Sequence, residues 1–279
     1  MIAVRGLEYT YADGTHALRG VDLSIARGER LALLGSNGSG KTSLFLCLTG
    51  ILKPTAGEVV LGGEPVTYDR KGLTQLRSRI GFVFQDPDSQ IFCVDVFQEV
   101  AFGPANMGLG AAEVEARTQR AMEWTDVSGL SRKPPHFLSQ GQKKRVTAAS
   151  ALSMEPDVLL FDEPTSALDP RHAAKLMEII EAMSRRGVTV CLSTHDMDLA
   201  YAWADRVAVL SEGKVLAAGA PEDVMTDEQV LARADLHPPQ VVRVYRALAA
   251  RGFVDGGAGG APRTVEQLEA LLEGGKHAS

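Results

Sequence analysis

Cysteine is scarce in this 279-residue chain, and a basic surplus is missing. Cys47, Cys93 and Cys191 stand far apart with no C-x-x-C spacing, which excludes a disulfide framework and a cysteine zinc site. Each sits in an apolar setting and reads as a small buried hydrophobe, as expected in a reducing cytosol. The formal net charge is −6, so there is no cationic excess to meet a phosphate backbone, and no nucleic-acid partner is expected. The six histidines are scattered, and no His, Cys and carboxylate cluster occurs at metal-ligand spacing. Long apolar runs are missing too. Nothing approaches the ~20 residues that span a bilayer, and Met1–Gly6 lacks the apolar stretch of a signal peptide. A chain soluble by itself is expected, held at a membrane only by other chains. Its length and 45% hydrophobic content allow one large domain with an appendage.

What the chain has is Gly35-Ser36-Asn37-Gly38-Ser39-Gly40-Lys41-Thr42, directly after the apolar run Leu31–Leu34. This fits the G-x-x-x-x-G-K-[ST] pattern of a phosphate-binding loop. Glycines let backbone N–H groups approach a polyphosphate that a Cβ would hold off. Lys41 can neutralise the outer phosphates, and Thr42 can place its hydroxyl on Mg²⁺. Ser43–Leu48 reads as a helix with its positive end toward the anion. Residues Ser36 through Ser43 are therefore the expected nucleotide cradle.

The coarse pattern predicts β structure at Val4–Leu7, Val21–Ile25 and Arg30–Leu34, with a turn at Asp13-Gly14. Further strands are expected at Val59–Leu61 and Ile80–Phe84. From 86 to 156 the pattern turns helical, with Ala111–Met122 and Gln142–Ala151 the clearest segments. Strand and helix then alternate: Val158–Phe161, Ala173–Arg185, Val188–Ser193, Met197–Trp203 and Val207–Leu210. This alternation predicts an α/β fold with a mostly parallel sheet and a helical insertion. Residues 236–279 read as an extension, with a helix at Val241–Ala250 and a glycine-rich loop at 256–262. A last helix is expected to carry Val265, Leu268, Leu271 and Leu272, opened by a Thr264/Gln267 capping box.

Val158-Leu159-Leu160-Phe161-Asp162-Glu163 is a buried strand with two carboxylates at its C-terminal end, where open α/β sheets bind ligands. Successive strand residues point to opposite sides, so the two carboxylates can differ in role. Asp162 suits Mg²⁺, and Glu163 suits an attacking water.

Leu138-Ser139-Gln140-Gly141-Gln142 resembles the signature motif of ATP-binding-cassette (ABC) ATPases, although the consensus has glycine where this chain has Gln140. Ser139 offers a hydroxyl, Gly141 an exposed N–H, and the helix after them a positive end, all suited to a γ-phosphate; Gln142 completes the motif. Other family elements follow in order. Tyr11 resembles the residue that stacks on adenine, with Tyr9 as the alternative. Gln85 resembles the Q-loop glutamine near Mg²⁺ and the water. Ser166–Asp169 resembles the D-loop, and His195 the switch histidine at the γ-phosphate. The resemblance covers about residues 1–235. It implies an ABC-type P-loop NTPase with a RecA-like core, an N-terminal antiparallel β-subdomain, a helical subdomain at about 86–156, and a small C-terminal helical extension at 236–279. It also implies ATP and Mg²⁺ as cofactors, and a dimer that sandwiches two ATPs. In that dimer Lys41, Gln85, Glu163 and His195 are the catalytic set, and Thr42, Gln85 and Asp162 the metal set.

Phe84–Phe92, Val100–Leu109, the Lys143-Lys144-Arg145 run and the Pro-Pro-led extension resemble the energy-coupling-factor (ECF) branch, above all its CbiO-type cobalt ATPases. That implies a homodimer at the cytoplasmic face of the membrane. A CbiQ-like scaffold and a CbiM-like substrate-binding subunit are its implied partners, and Gln85–Phe92 are expected to line the scaffold's groove. Nickel and vitamins remain alternative cargoes, and non-transport ABC ATPases a more distant reading.

Overall fold

The computed structural model describes residues 1–254 and 261–275. Strands β1 (Ile2–Thr10) and β2 (His16–Ile25) form an antiparallel hairpin. Its turn is closed by the Gly14 amide on Tyr11 O and the Thr15 amide on Asp13 Oδ1, both at 2.9 Å. Both strands are longer than Val4–Leu7 and Val21–Ile25, because register shifts let the pairing continue past their irregular middles. β3 (Arg30–Leu34) leaves this sheet, and α1 (Lys41–Leu48) follows the glycine loop. β4 (Ala56–Leu61) and β5 (Glu64–Pro65) complete a four-stranded antiparallel sheet of order β2-β1-β4-β5.

α2 (Arg70–Arg79) has no counterpart in the sequence reading. Its one buried residue is Leu76, so it shows no apolar period; Asp69 caps it by accepting from the Gly72 amide at 2.7 Å. After β6 (Ile80–Val83) come α3 (Val96–Asn106), α4 (Ala111–Trp124) and α5 (Gln140–Ser153). The alternating part is β7 (Val158–Asp162), α6 (Pro170–Arg185), β8 (Thr189–Thr194), α7 (Met197–Trp203) and β9 (Arg206–Ser211). An unexpected β10 (Lys214–Gly219) pairs antiparallel with β9 at the sheet edge. The chain continues through α8 (Pro221–Val224), α9 (Glu228–Arg233), α10 (Gln240–Ala249) and α11 (Val265–Gly275).

The second sheet has order β10-β9-β3-β8-β7-β6, parallel except for β10. Its central strands are buried on both faces, which explains their continuous apolar runs. Alternate residues feed two cores. Ala32, Leu34, Leu159, Phe161, Val207 and Val209 face the helical side. Leu31, Leu33, Leu160, Ala208 and Leu210 face α1 and the small sheet.

Val241, Val242, Tyr245 and Leu268 join the helical-side core, so α10 and α11 dock on the body. Val265 and Leu271 remain exposed. Half of the expected Thr264/Gln267 box forms. Thr264 Oγ1 accepts from the Gln267 amide at 3.3 Å, but Gln267 Oε1 accepts from the Arg263 amide instead. The expected loop at 256–262 falls mainly on residues 255–260, outside those described. Among the described residues no helix is long and apolar enough to cross a membrane.

Candidate functional site

Three neighbouring parallel strands bring the chemistry together. β3 pairs with β8 so that Leu34 lies beside Thr194, and β7 pairs with β8 so that Asp162 lies beside Ser193. The glycine loop, the two carboxylates and His195 thus emerge at one edge, where parallel strands end. β6 flanks β7 and delivers Gln85 to the same edge.

The loop needs its glycines for close approach. A Cβ on Gly35 would sit 2.3 Å from Leu210 O, and one on Gly40, at φ +109°, 2.6 Å from Ala17 O. Lys41 is buried, and Nζ donates to Gly35 O at 2.7 Å and Ser36 O at 3.2 Å. Glu163 Oε1 is 3.8 Å from the same ammonium. Burial lowers the Lys41 pKa, and Glu163 and Asp162 oppose that shift. Ser39 Oγ is buried in the loop without a protein partner.

Asp162 accepts Thr42 Oγ1 on Oδ2 at 2.7 Å and Ser193 Oγ on Oδ1 at 2.5 Å. Thr42, Asp162 and Gln85 offer a hydroxyl, a carboxylate and an amide. Such oxygen donors suit Mg²⁺, which keeps waters and substrate phosphates in its shell and needs no all-protein cage. No group of three or more His, Cys, Asp or Glu that could hold a metal ion occurs among the described residues.

Glu163 is held from several sides. Its amide donates to Ser193 O at 3.2 Å and Ser193 Oγ at 3.0 Å. Its Oε2 lies 2.9 Å from His195 Nδ1, and His195 itself is exposed. The Glu163 backbone is left-handed at φ +47°, a conformation costing on the order of 1–3 kcal/mol that persists only where its surroundings enforce it.

These residues line a cleft of about 460 Å³. Of the sequence-predicted residues it gathers Tyr11, Asn37, Gly38, Ser39, Gly40, Lys41, Thr42, Ser43, Gln85, Asp162, Glu163 and His195. Tyr11 Oη meets Ser43 Oγ at 2.9 Å, whereas Tyr9 packs edge-on behind it in the small-sheet core. Ser36 contributes its carbonyl to Lys41 and does not line the cleft.

Ser139, Gly141 and Gln142 lie elsewhere, at the head of α5. Ser139 Oγ accepts from the Gln142 amide at 3.3 Å and Gln142 Oε1 from the Ser139 amide at 3.0 Å, a reciprocal cap. The expectation of exposure at Gly141 is corrected. Gly141 is buried under His172, where a Cβ would come within 2.8 Å of the ring, and His172 Nδ1 is 2.6 Å from Asp169 Oδ2. Gln140 donates to Asp88 at 3.5 Å, beside the shorter 2.6 Å pair of Lys143 with Asp88.

Several functional residues escaped sequence reasoning. Ser193 orients both Asp162 and Glu163, and its only signal is its register position beside Asp162. Thr15, His16 and Ala17 reach the cleft because the hairpin folds over the loop. Lys144 is buried and binds the turn after Glu163.

A second depression, of about 440 Å³, is apolar and includes Ile51, Phe82, Phe84, Phe92, Phe102 and Met107. Phe92 and Phe102 meet edge to face with centroids 4.7 Å apart, both largely exposed. Buried Glu99 holds the segment by accepting the Phe92 and Cys93 amides at 3.0 and 2.9 Å. The expectation that Gln85–Phe92 line one groove is divided. Phe84, Gln90 and Phe92 line this depression, and Gln85 lines the nucleotide cleft.

Comparison with known proteins places these features. The ABC transporter family model matches residues 18–166. The chain is 42% identical over 273 residues to the energy-coupling factor transporter ATP-binding protein EcfA of Methanosphaera stadtmanae, covering 98% of each. It is 44% identical over 248 residues to the EcfA of Methanocaldococcus jannaschii, covering 89% of each. Among solved structures, cbiO1 from Clostridium perfringens, part of the ABC transporter complex cbiONQ, superposes with a TM-score of 0.75 at 40% identity over 98% of both chains. An ATP-binding cassette solved as a dimer in a post-hydrolysis state, bound to ADP and Pi, superposes with a TM-score of 0.72 at 28% identity, over 79% of this chain and 99% of that one.

Proposed function

The chain belongs to the ABC transporter ATPase family, and from that premise we propose that it is the ATP-hydrolysing subunit of an ECF-type importer, working as a nucleotide-sandwich homodimer that drives entry of cobalt ions. The observation that carries the hydrolytic reading is Glu163, buried between Lys41 and His195 beside the Thr42–Asp162 pair.

The reaction follows from these positions. Tyr11 offers a ring to the base of ATP, and residues 36–43 wrap the phosphates with backbone N–H groups. Lys41 exchanges its contacts with Gly35 O and Ser36 O for phosphate oxygens. Thr42, Asp162 and Gln85 would hold Mg²⁺, which neutralises charge building on the phosphates. Glu163 accepts a proton from water as the water oxygen bonds the γ-phosphorus and the β–γ bridging bond breaks. His195 steadies the carboxylate and reaches the γ-phosphate side.

The dimer reading rests on Ser139, Gly141 and Gln142, which do not line their own chain's cleft and stand at the head of α5, whose positive end would face a partner's nucleotide. A dimeric cassette relative supports it. This chain carries one full set of groups, so a homodimer holds two competent sites. We assign residues 1–235 to the ATPase unit, with 86–156 as its helical part and 236–279 as an extension. The apolar depression at Phe84, Phe92 and Phe102 suits a helix of a CbiQ-like scaffold at the cytoplasmic face of the membrane. A CbiM-like subunit would choose the ion. The cobalt assignment is supported by the likeness to cbiO1 over nearly the whole chain, C-terminal helices included.

Co-purification with the membrane subunits, reconstitution in vesicles, and ATP-dependent uptake of labelled cobalt, nickel or vitamin test this reading. Cobalt uptake is expected. Uptake of nickel or a vitamin alone would replace the cargo, and failure to assemble with any integral-membrane scaffold would overturn the transporter role.

A further inference from the structure

Lys144 is only 2% exposed, yet no carboxylate hydrogen-bonds it. Its ammonium instead donates to Glu163 O at 3.1 Å, Pro164 O at 2.8 Å, Ser166 O at 2.8 Å and Ser166 Oγ at 3.2 Å. Ser166 Oγ donates in turn to Glu163 O at 2.9 Å. All four acceptors belong to the single turn that follows the carboxylate pair. A buried ammonium is costly where an apolar side chain would fill the space, so its presence needs a reason in what it holds. The turn itself needs holding, since Glu163 and Ala167 both have left-handed backbones, at φ +47° and +59°. Lys144 sits in α5, the helix headed by Ser139. Its neighbour Lys143 pairs with Asp88, just beyond Gln85.

We infer that Lys144 is a positioning residue for hydrolysis: it fixes the Glu163–Ser166 turn and fastens that turn to the helix headed by the signature motif. A pull on Ser139 would then reach the base through one side chain. The inference rests on the reading of Glu163 as the base.

The test uses the full chain, with ATP affinity from titration and turnover from phosphate release. Lys144→Met keeps the length of the side chain and removes its donors. Its kcat should fall by about 10–100-fold, the scale of a lost charged hydrogen bond and a misplaced catalytic group, with ATP Kd within about 2-fold of the original. Lys144→Arg should recover most of the lost kcat. Wild-type turnover in Lys144→Met would overturn the inference. So would a parallel loss of kcat, ATP affinity and thermal stability that Lys144→Arg does not restore. Should Lys144→Met fail to fold, Ser166→Ala carries the test. A drop in kcat of roughly 3–10-fold at constant Kd supports the inference, and unchanged kcat sinks it. Glu163→Gln is run alongside. Turnover surviving there would refute the base assignment, a failure separate from that of the Lys144 contact.

Discussion

The nucleotide cleft and the apolar depression are nearly equal in size, about 460 and 440 Å³, and opposite in chemistry. In the nucleotide cleft, charged groups are buried and cross-held: Lys41 by carbonyls, Asp162 by two hydroxyls, Glu163 by a serine, a lysine and a histidine. In the second depression, large apolar side chains stand in the open, Phe92 at 65% and Phe102 at 48% exposure. The first spends protein interactions on preorganisation, so that little must move when phosphate arrives. The second leaves apolar surface for another molecule to cover. One short segment serves both, because Phe84 and Gln85 turn to different sides.

The contrast is sharpest at the base. Glu163→Gln keeps the shape and loses the proton acceptor, so kcat should fall by about 10²–10⁴-fold while ATP still binds. Phosphate release and nucleotide titration measure the two separately, and unchanged turnover would remove Glu163 from the mechanism. Next in size, Lys41→Ala should weaken ATP binding by roughly 10–150-fold, the range for charged hydrogen bonds. Affinity preserved in that variant would mean the loop does not read the phosphates.

The apolar depression should respond to a different assay. Phe92→Asp places a charge on its rim and should weaken capture by the membrane scaffold about 10–100-fold, read by pull-down from detergent. The ATP affinity of the isolated variant should stay near that of the original chain. Equal losses in both assays would show the two depressions to be one functional unit.

The smallest effect is a pH dependence. Burial lowers Lys144 from 10.5 to about 8, against the pull of the facing Glu163, Asp162 and Asp86 carboxylates. Between those values the unfolded chain binds more protons than the folded one. The cost of burying the ammonium is therefore present below pH ~8 and is relieved as pH rises toward 10.5. Turnover should run the other way, declining above about pH 8 as the lysine loses a donor. Comparing melting temperature and kcat with Lys144→Met from pH 7 to 10 isolates both trends. A flat difference would place the titration elsewhere.

Much of the cleft was legible in the chain because its parts are local patterns. A glycine loop between strand and helix, or two carboxylates after four apolar residues, needs no knowledge of the remaining fold. Tyr11 was preferred to Tyr9 only through the family resemblance; the physical reason, the hairpin's closure over the loop that turns Tyr11 to the cleft, is tertiary. Ser193 and Lys144 had no assigned role in the cleft, Lys144 standing only within the Lys143-Lys144-Arg145 run, and their roles come from strand register and helix docking. α2 and β10 were missed for a related reason. β10 buries none of its side chains fully and α2 only Leu76, so neither shows the apolar period that betrays a buried face.

By itself, then, the sequence determined that this chain handles a nucleoside triphosphate, along with the identity of its phosphate loop and the order of its parallel strands and helices. These are properties of neighbours along the backbone, set by glycine geometry, side-chain alternation and apolar periodicity. Tertiary structure alone decided which groups meet. It set Ser193 against Asp162 and Lys144 beneath the Glu163 turn, buried Gly141 under His172, and gathered Ile51, Phe92 and Phe102 into one apolar surface. Such contacts join residues tens of positions apart, and only packing sets the distances on which hydrogen bonds and buried charges depend.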